Sequence, residues 1–143
     1  MADVERNIDV VRRLEDAYNR RDYSYLPELI RDDLIAHTAG SDHIPQNHQG
    51  LEANNEGAYG AFPDKRTVIE DVFGEGDHVV ARIHNTGTNT GGLPWLGIPA
   101  NGARVDMEWI QISRHDADGK IAETFTQMEI AKLMQQLGAM EGM

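Results

Sequence analysis

An alternating segment near the end of the chain carries the residues best suited to acid–base chemistry. If residues 120–129 form a strand, one face holds Glu123, Phe125, Gln127 and Glu129. A carboxyl group in an apolar pocket has a raised pKa, because the pocket disfavours its charged form. A carboxylate held there can act as a general base that removes a proton from carbon. Neither face of the segment is cleanly apolar, so hydropathy leaves open which face looks inward.

Glu129 has a second interpretation that the residues alone leave open. It directly precedes a segment in which Ile130, Leu133 and Leu137 recur at i, i+3 and i+7, the spacing of a helix. A carboxylate at a helix start is favoured by the helix dipole, which lowers its pKa. Glu129 is therefore predicted to be either a general base or a solvated helix-start acid. Glu123 is predicted to orient a partner or to pair across strands.

The preceding strand offers a surface for a flat ligand. Its alternation puts Met107, Trp109 and Gln111 on one face, which would suit an aromatic molecule. A core-facing stripe with one polar end is the alternative interpretation of the same three residues. Asn85 and Asn89 lie on the strand before it and are expected to point inward if no bulge intervenes.

The histidines give no clear metal pattern. His37, His43 and His48, with Asp42 among them, could form a cluster of metal ligands. They lie in a segment without periodicity and lack the i, i+4 helical placement of a two-histidine site, so no metal site is predicted. His84 is expected on the outer surface of the sheet, because it alternates away from the inward residues of its strand.

These residues must be positioned by helices that precede a run of strands. Helices are predicted over residues 4–18, after Asp22, over 51–62 and over 130–137, with a loop over 37–50. Strands are predicted over residues 67–73, 79–90, 104–114 and 120–129. This order predicts one α+β domain over residues 1–143, in which helices cover one face of a curved sheet and leave a pocket between the layers.

Composition removes several classes of protein. The 143 residues include 24 acidic and 13 basic side chains, so the net charge of −11 disfavours nucleic acids and anionic membrane surfaces as partners. The absence of cysteine excludes disulfides and thiolate nucleophiles. No nucleophile elbow, phosphate loop or dinucleotide motif is present. With no secretory signal or long apolar run in the sequence, a cytoplasmic protein is expected.

Several short motifs, taken in order, carry a resemblance to a known family. They occupy residues 32–37, 61–64, 74–82, 87–91, 96–102, 118–123 and 135–138. In this order and spacing the chain resembles the SnoaL-like polyketide cyclases of the nuclear-transport-factor-two-like superfamily, over essentially its whole length. The resemblance implies a cone-shaped α+β barrel, with N-terminal helices packed in a strongly bent antiparallel sheet that encloses a pocket. It also implies cofactor-free aldol cyclisation of an aromatic polyketide ester, and a homo-oligomer formed through the outer sheet face.

The resemblance further implies roles for individual residues. It turns the face with Glu123 and Glu129 toward the pocket, and Glu129 stands where the family has its acid/base aspartate. His37 matches the family's histidine after the second helix, where it could hydrogen-bond a carbonyl or enolate oxygen. Asn89 and Phe125 stand where the family often has a histidine and a tryptophan.

The expected site therefore has two catalytic residues, Glu129 and His37, and no metal or other cofactor. Its expected contacts with a small hydrophobic ligand are Asn89, Trp109, Gln111, Glu123, Phe125 and Gln127. Isomerisation or epoxide hydrolysis on the same scaffold is an alternative, with Glu123 and Glu129 as the carboxylate pair that epoxide opening needs. The departures at Asn89 and Phe125 favour a third alternative, a ligand-binding module without turnover.

Overall fold

The structure, a computed structural model, describes residues 3–38 and 46–139. Its helices are α1 (Asp3–Arg20), α2 (Leu26–Leu29), α3 (His48–Ala61) and α4 (Ile130–Gln136), with short 3₁₀ helices at Tyr23–Tyr25 and Pro94–Leu96. Its strands are β1 (Ile30–Thr38), β2 (Arg66–Glu75), β3 (His78–Thr88), β4 (Arg104–His115) and β5 (Ile121–Met128). None of the helices in these two ranges is long and apolar enough to cross a membrane.

The five strands form one sheet in the order β1-β5-β4-β3-β2, and four of them confirm the predicted strands. β2, β3, β4 and β5 pair antiparallel, as expected for two successive hairpins. β1 pairs parallel with β5, so the sheet is mixed where an antiparallel sheet was expected. The difference arises because residues 30–38 form a strand, whereas the sequence predicted the end of a helix at residue 30, a loop from residue 37 and no element between them. The pairing is irregular between Ile30 and Ile35, which breaks the alternation that marks a strand.

Helix α1 confirms the prediction from its apolar spacing and packs across the sheet. Val10, Val11 and Leu14 are buried, and they join residues of α2 and β3 in the larger of two apolar clusters. Each fully buried side chain of this kind contributes about 1.5–3 kcal/mol to folding. A second cluster, around Met107 and Leu137, lies toward α4, and Trp109 packs against both clusters.

The outer face of the sheet carries a row of apolar side chains, and the inner face carries several polar ones. The strand registers place five outer residues in one row across the sheet, and that row is largely apolar: Phe73, Val80, Ile112, Phe125 and His37. On the inner face, Thr67 lies opposite Asn85, and Gln111 lies opposite Thr126. Several hydroxyl and amide side chains therefore stand on the inner face among its apolar residues, while one largely apolar row crosses the outer face.

A backbone contact joins the loop after β3 to the end of α3. The amide of Gly91 donates a hydrogen bond to the carbonyl of Ala61 at 3.0 Å. A Cβ atom on Gly91 would lie only 1.7 Å from the carbonyl oxygen of Gly60, so no other residue fits here without movement. Glycine is thus required at position 91 by close approach of two backbones.

Candidate functional site

The inner face of the sheet and helices α1, α3 and α4 enclose a cavity of about 440 Å³. Its wall is mostly apolar, with Leu14 and Tyr18 from α1, Leu51 from α3 and Leu133 from α4. Trp95, in the loop between β3 and β4, also lines the cavity and is half exposed. An apolar cavity of this size with a few polar groups is the usual form of a small-molecule site.

The orientation expected for β5 is wrong. Thr124, Thr126 and Met128 face the cavity, whereas Phe125 and Gln127 lie exposed on the outer face. The physical reason is that the inner face of β5 borders a cavity as well as a packed core. Threonine therefore occupies inward positions where a fully packed core would have aliphatic residues, and the inner face cannot be recognised from its hydropathy. Phe125 and Gln127 consequently do not line the cavity.

Glu129 also lies outside the cavity, contrary to the placement that the resemblance implied. Its carboxylate accepts a hydrogen bond from the backbone amide of Glu108 at 2.9 Å and lies 3.5 Å from Nζ of Lys132. The hydrogen bond from Glu108 lowers the pKa of Glu129, and Lys132 lowers it further. Glu129 is exposed and directly precedes α4, as the alternative interpretation of a solvated helix-start acid expects, although its side chain makes no capping hydrogen bond.

His37 and Glu123 form a pair on the outer face, so their expected placement in the pocket is wrong too. The His37 ring stacks on Phe125 with centroids 4.6 Å apart, and its Nε2 lies 2.8 Å from the Glu123 carboxylate. Arg114 also donates to Glu123, at 3.2 Å. The hydrogen bonds from His37 and Arg114 lower the pKa of Glu123. Glu123 is thus the cross-strand charge that the sequence offered as one of its interpretations.

Asn89 is fully buried, but it organises a loop and does not line the cavity. Its Nδ2 donates to the carbonyl of Pro99 and to Oδ1 of Asn101, and its Oδ1 accepts from the amide of Gly92. All of the hydrogen-bonding groups of its side chain are directed at loop atoms. Asn89 was expected to contact a ligand, but its position outside the cavity wall contradicts this expectation.

Trp109 and Gln111 do line the cavity, on the face of β4 that the alternation predicted. Gln111 donates to the hydroxyl of Thr126 at 3.3 Å. Asn85, on the neighbouring strand, points inward as expected and is 5% exposed. His84 lies on the outer face as predicted, where its Nε2 bonds the carboxylate of Asp106 at 2.5 Å.

Within residues 3–38 and 46–139, no three His, Asp or Glu side chains are arranged to hold a metal ion. His37 is engaged on the outer face, and Nε2 of His48 donates to the carbonyl of Ile30 at 2.6 Å. The other two members of the cluster considered from the sequence, His43 and Asp42, lie outside the described residues.

The cavity contains a carboxyl group, that of Glu15, which is not among the site residues predicted from the sequence. Glu15, on α1, is 7% exposed and is the only acidic residue among the described residues that line the cavity. Burial raises the pKa of Glu15 to about 7, although the charge of Lys65 and a hydrogen bond from Thr67 lower it. Its pKa therefore lies near neutral pH, where a carboxyl group can both accept and return a proton.

A signal for Glu15 is present in the sequence. The helical spacing of the first segment runs through Val4, Ile8 and Val11 to Tyr18, and Glu15 occupies the position between Val11 and Tyr18 at steps of four and three. A single acidic residue on an apolar helix face is predicted to be buried. Burial of a carboxylate costs folding free energy, so such a residue is expected to have partners or a function.

Lys65 places a positive charge in the same cavity wall as Glu15. It is the only basic residue among the described residues that line the cavity, and its Nζ lies 3.4 Å from Oδ1 of Asn55. The ammonium also lies 4.7 Å from the centroid of the Tyr59 ring. Burial lowers the pKa of Lys65, and the charge of Glu15 partly offsets this effect. The two charges therefore stabilise each other across the polar end of the cavity.

Two residues of the cavity wall carry a buried donor that has no partner among the described residues. Asn85 Nδ2 and Trp109 Nε1 have no hydrogen-bond acceptor within the part of the chain that the structure describes. Buried polar groups are nearly always paired in folded proteins, so each unpaired donor requires a reason. Neither donor could be identified from the sequence, because the pairing of a side chain depends on its three-dimensional neighbours.

Solved structures with the same fold share modest sequence identity with the chain. TsrD from Streptomyces laurentii is 26% identical, with a TM-score of 0.80 and coverage of 92% of this chain and 94% of its own. IdmH from Streptomyces antibioticus, described as a candidate polyketide cyclase, is 26% identical, with a TM-score of 0.79 and coverage of 92% and 98%. A candidate SnoaL-like polyketide cyclase from Jannaschia sp. CCS1 is 25% identical, with a TM-score of 0.79 and coverage of 98% and 96%.

These structures confirm the α+β fold in which helices pack against a curved sheet, here a mixed one. No curated protein sequence matches the chain. The sequence profile of the SnoaL-like polyketide cyclases matches residues 8–137, nearly the full length. The chain belongs to the SnoaL-like polyketide cyclase family.

Proposed function

We propose that the chain is an acid/base enzyme of the cyclase type, in which Glu15 moves a proton at carbon beside a carbonyl group of a small hydrophobic substrate. The observation that supports this most strongly is the isolation of one carboxyl group, Glu15, in a mostly apolar cavity. The family membership supports a polyketide as the substrate class. The placement of Glu129 and His37 outside the cavity gives them no part in the proposal.

The proposed reaction needs no group beyond the substrate and the side chain. The Glu15 carboxylate removes a proton from a carbon next to a carbonyl, and the electron pair of that C–H bond forms an enolate. The enolate carbon then attacks a second carbonyl carbon of the same molecule, which forms a C–C bond and leaves an alkoxide. The alkoxide takes the proton back from the carboxyl group of Glu15. The product is an isomer of the substrate, with the same mass.

A raised pKa suits this role for a physical reason. A carboxylate with an ordinary pKa is a weak base, so its proton affinity is poorly matched to a carbon acid. Burial increases the proton affinity of Glu15, and its pKa of about 7 leaves a large ionised fraction near neutral pH. Lys65 keeps that ionised fraction from becoming too small, because its charge favours the carboxylate.

The test uses an aromatic β-keto ester with a second carbonyl within reach of its active methylene. Conversion to an isomer of equal mass is followed by chromatography with mass detection, and deuterium uptake at the α-carbon of α-tetralone in D₂O is followed by proton NMR. We expect Glu15→Gln to lower both rates on the order of 100-fold or more. Glu129→Gln is the matched control, because it makes the same change outside the cavity, and its rates should stay near those of the unmodified chain.

Three results would contradict the proposal. One is an unchanged rate in Glu15→Gln, and another is a loss confined to Glu129→Gln. The third is an unmodified chain that neither isomerises the ester nor exchanges the α-protons of the ketone. That last result would favour the ligand-binding module over an enzyme. Epoxide hydrolysis has less support than cyclisation, because Glu123 and Glu129 lie outside the cavity.

We also propose that two copies of the chain associate through the outer face of the sheet. The row from Phe73 to His37 leaves aromatic and aliphatic surface in solvent, with Phe73 60% and Phe125 40% exposed. Ile35 and Ile110 extend this surface on either side of the row. Exposed apolar patches of contiguous residues are typical of protein–protein interfaces.

A further inference from the structure

We infer that Asn85 and Trp109 form a binding site for one oxygen atom of the substrate, a carbonyl oxygen that becomes an enolate oxygen during the reaction. The inference rests on the proposed function and goes beyond it, because it assigns the group that receives the negative charge. It starts from the two buried donors without a partner among the described residues, Asn85 Nδ2 and Trp109 Nε1, which belong to two residues that line the same cavity.

The strand register brings these donors close to each other. Asn85 on β3 lies opposite Met107 on β4, so Trp109 is two residues along β4 on the same inner face. Such diagonal neighbours have Cα atoms about 7–8 Å apart, within reach of long side chains. A single ligand atom between the two side chains can therefore accept a hydrogen bond from each.

The same strand register brings the donors of Asn85 and Trp109 close to the carboxyl group of Glu15. Thr67 on β2 lies opposite Asn85 on its other side, and the hydroxyl of Thr67 lies 3.3 Å from the carboxyl group of Glu15. The proton acceptor and the two donors thus occupy adjacent positions around one end of the cavity. This is the arrangement that proton removal beside a carbonyl requires, with a base at the carbon and donors at the oxygen.

The chemistry of the donors limits what they bind. An indole N–H donates and cannot accept, and an amide NH₂ also donates. Neither group ionises, so the pair favours an acceptor oxygen, neutral or negative, and offers no cation for a carboxylate. The apolar surroundings, with Met107 beside them, favour a planar hydroxyaromatic or enolic molecule over a sugar or a phosphate.

The test uses 2-naphthol, a planar molecule with one oxygen, and naphthalene as the matched ligand without it. The chain has two tryptophans, Trp95 and Trp109, so a Trp95→Phe variant leaves one indole N–H signal in a ¹⁵N-labelled sample. We expect 2-naphthol to move that signal downfield and naphthalene to leave its hydrogen-bonding shift unchanged. NMR titration should give 2-naphthol at least about 10-fold tighter binding than naphthalene, as expected for hydrogen bonds in a buried site.

Asn85→Leu should remove most of this preference while naphthalene binding changes little. The variant should also melt at the same or a higher temperature than the unmodified chain, because it removes a buried donor that has no partner. Equal affinity for the two ligands, no binding of either, or an equal loss for both in Asn85→Leu would overturn the inference.

The two proposals fail in different ways. If the chain prefers 2-naphthol to naphthalene but Glu15→Gln keeps full turnover, the oxygen-binding site is supported and the catalytic role of Glu15 is contradicted. If Glu15→Gln loses turnover but 2-naphthol and naphthalene bind with equal affinity, the catalytic role of Glu15 is supported and the oxygen-binding site is contradicted.

Discussion

The carboxyl oxygen Oε2 of Glu15 lies 3.3 Å from the hydroxyl oxygen of Thr67, across the junction of helix α1 and the edge strand β2. Thr67 also lies 3.0 Å from Oδ1 of Asn19, and its hydroxyl has one proton to donate. Because the hydroxyl can direct that proton at only one acceptor at a time, Asn19 competes with Glu15 for it. This competition weakens the stabilisation that Thr67 gives to the Glu15 carboxylate, so burial remains the dominant influence on the Glu15 pKa.

The first prediction concerns the stability of the fold as a function of pH. Glu15 has an ordinary pKa of 4.5 when unfolded and about 7 when folded, so the folded state holds the proton more tightly. Its contribution to stability is present below pH 4.5 and is lost as pH rises through 7, at a cost of about 3 kcal/mol. Glu15→Gln should therefore match the unmodified chain at pH 4 and be more stable at pH 9, as measured by urea unfolding.

The control for that prediction is Glu129→Gln, whose carboxyl group has a lowered pKa. Its loss should not stabilise the protein at high pH. A Glu15→Gln variant with the same stability difference at both pH values would show that the Glu15 pKa is not raised.

The second prediction concerns Lys65. Its charge lowers the pKa of Glu15, so Lys65→Met should raise that pKa above 7. Titration of the ¹³C carboxyl signal of Glu15 measures the change directly, and the pH profile of α-deuterium exchange should move in the same direction. Lys132→Met is the comparison, because Lys132 interacts with Glu129 outside the cavity, and it should leave the Glu15 titration in place.

The third prediction concerns assembly. Phe125 is exposed within the outer row, so Phe125→Lys would place a charge in the proposed interface at little cost to the fold. Light scattering coupled to size exclusion should show an oligomer for the unmodified chain and a smaller mass for Phe125→Lys. Phe125→Leu keeps the surface apolar and should retain the oligomer. A monomeric unmodified chain, or an unchanged mass in Phe125→Lys, would rule out this interface.

The fourth prediction compares two glycines. Gly91→Ala would place a methyl group 1.7 Å from the carbonyl oxygen of Gly60, and the backbone cannot yield as a side chain does. We expect a loss of about 3 kcal/mol or more, at or above the upper end of ordinary overpacking. Gly57→Ala adds a methyl group in open space on α3 and should stabilise the chain by up to about 1 kcal/mol. Thermal melting distinguishes the two, and equal effects would contradict the close approach.

The fold could be predicted from the sequence wherever local pattern and tertiary structure agree. The β2–β3 and β4–β5 hairpins follow from their alternation and turn residues, and helix α1 follows from the spacing of its apolar residues, which pack in the larger apolar cluster. Strand β1 could not be predicted in this way. Its charged residues Arg31, Asp32 and Asp33 interrupt the alternation, and its pairing with β5 is long-range and irregular.

The site was harder to predict than the fold. The alternation of β5 follows from its sequence, but hydropathy leaves the inner face open, because threonine lines the cavity and neither face is cleanly apolar. The inner face that the resemblance implied is wrong. The resemblance supplied a carboxylate, Glu129, that this chain holds outside the cavity. The buried acid Glu15 was recoverable from its place on an apolar helix face, whereas its raised pKa depends on burial that only the folded structure shows.

The alternation of β5 between the cavity and the exterior has a consequence for how such a protein can change. Thr126 faces the cavity and Phe125, its neighbour in the chain, faces outward. Under the two proposals made above, ligand choice and self-association therefore depend on alternate positions of one strand. A substitution at position 124, 126 or 128 can reshape the cavity while the exterior stays the same, and one at position 123, 125 or 127 does the reverse. Specificity and assembly can therefore be engineered, or can diverge, independently of each other.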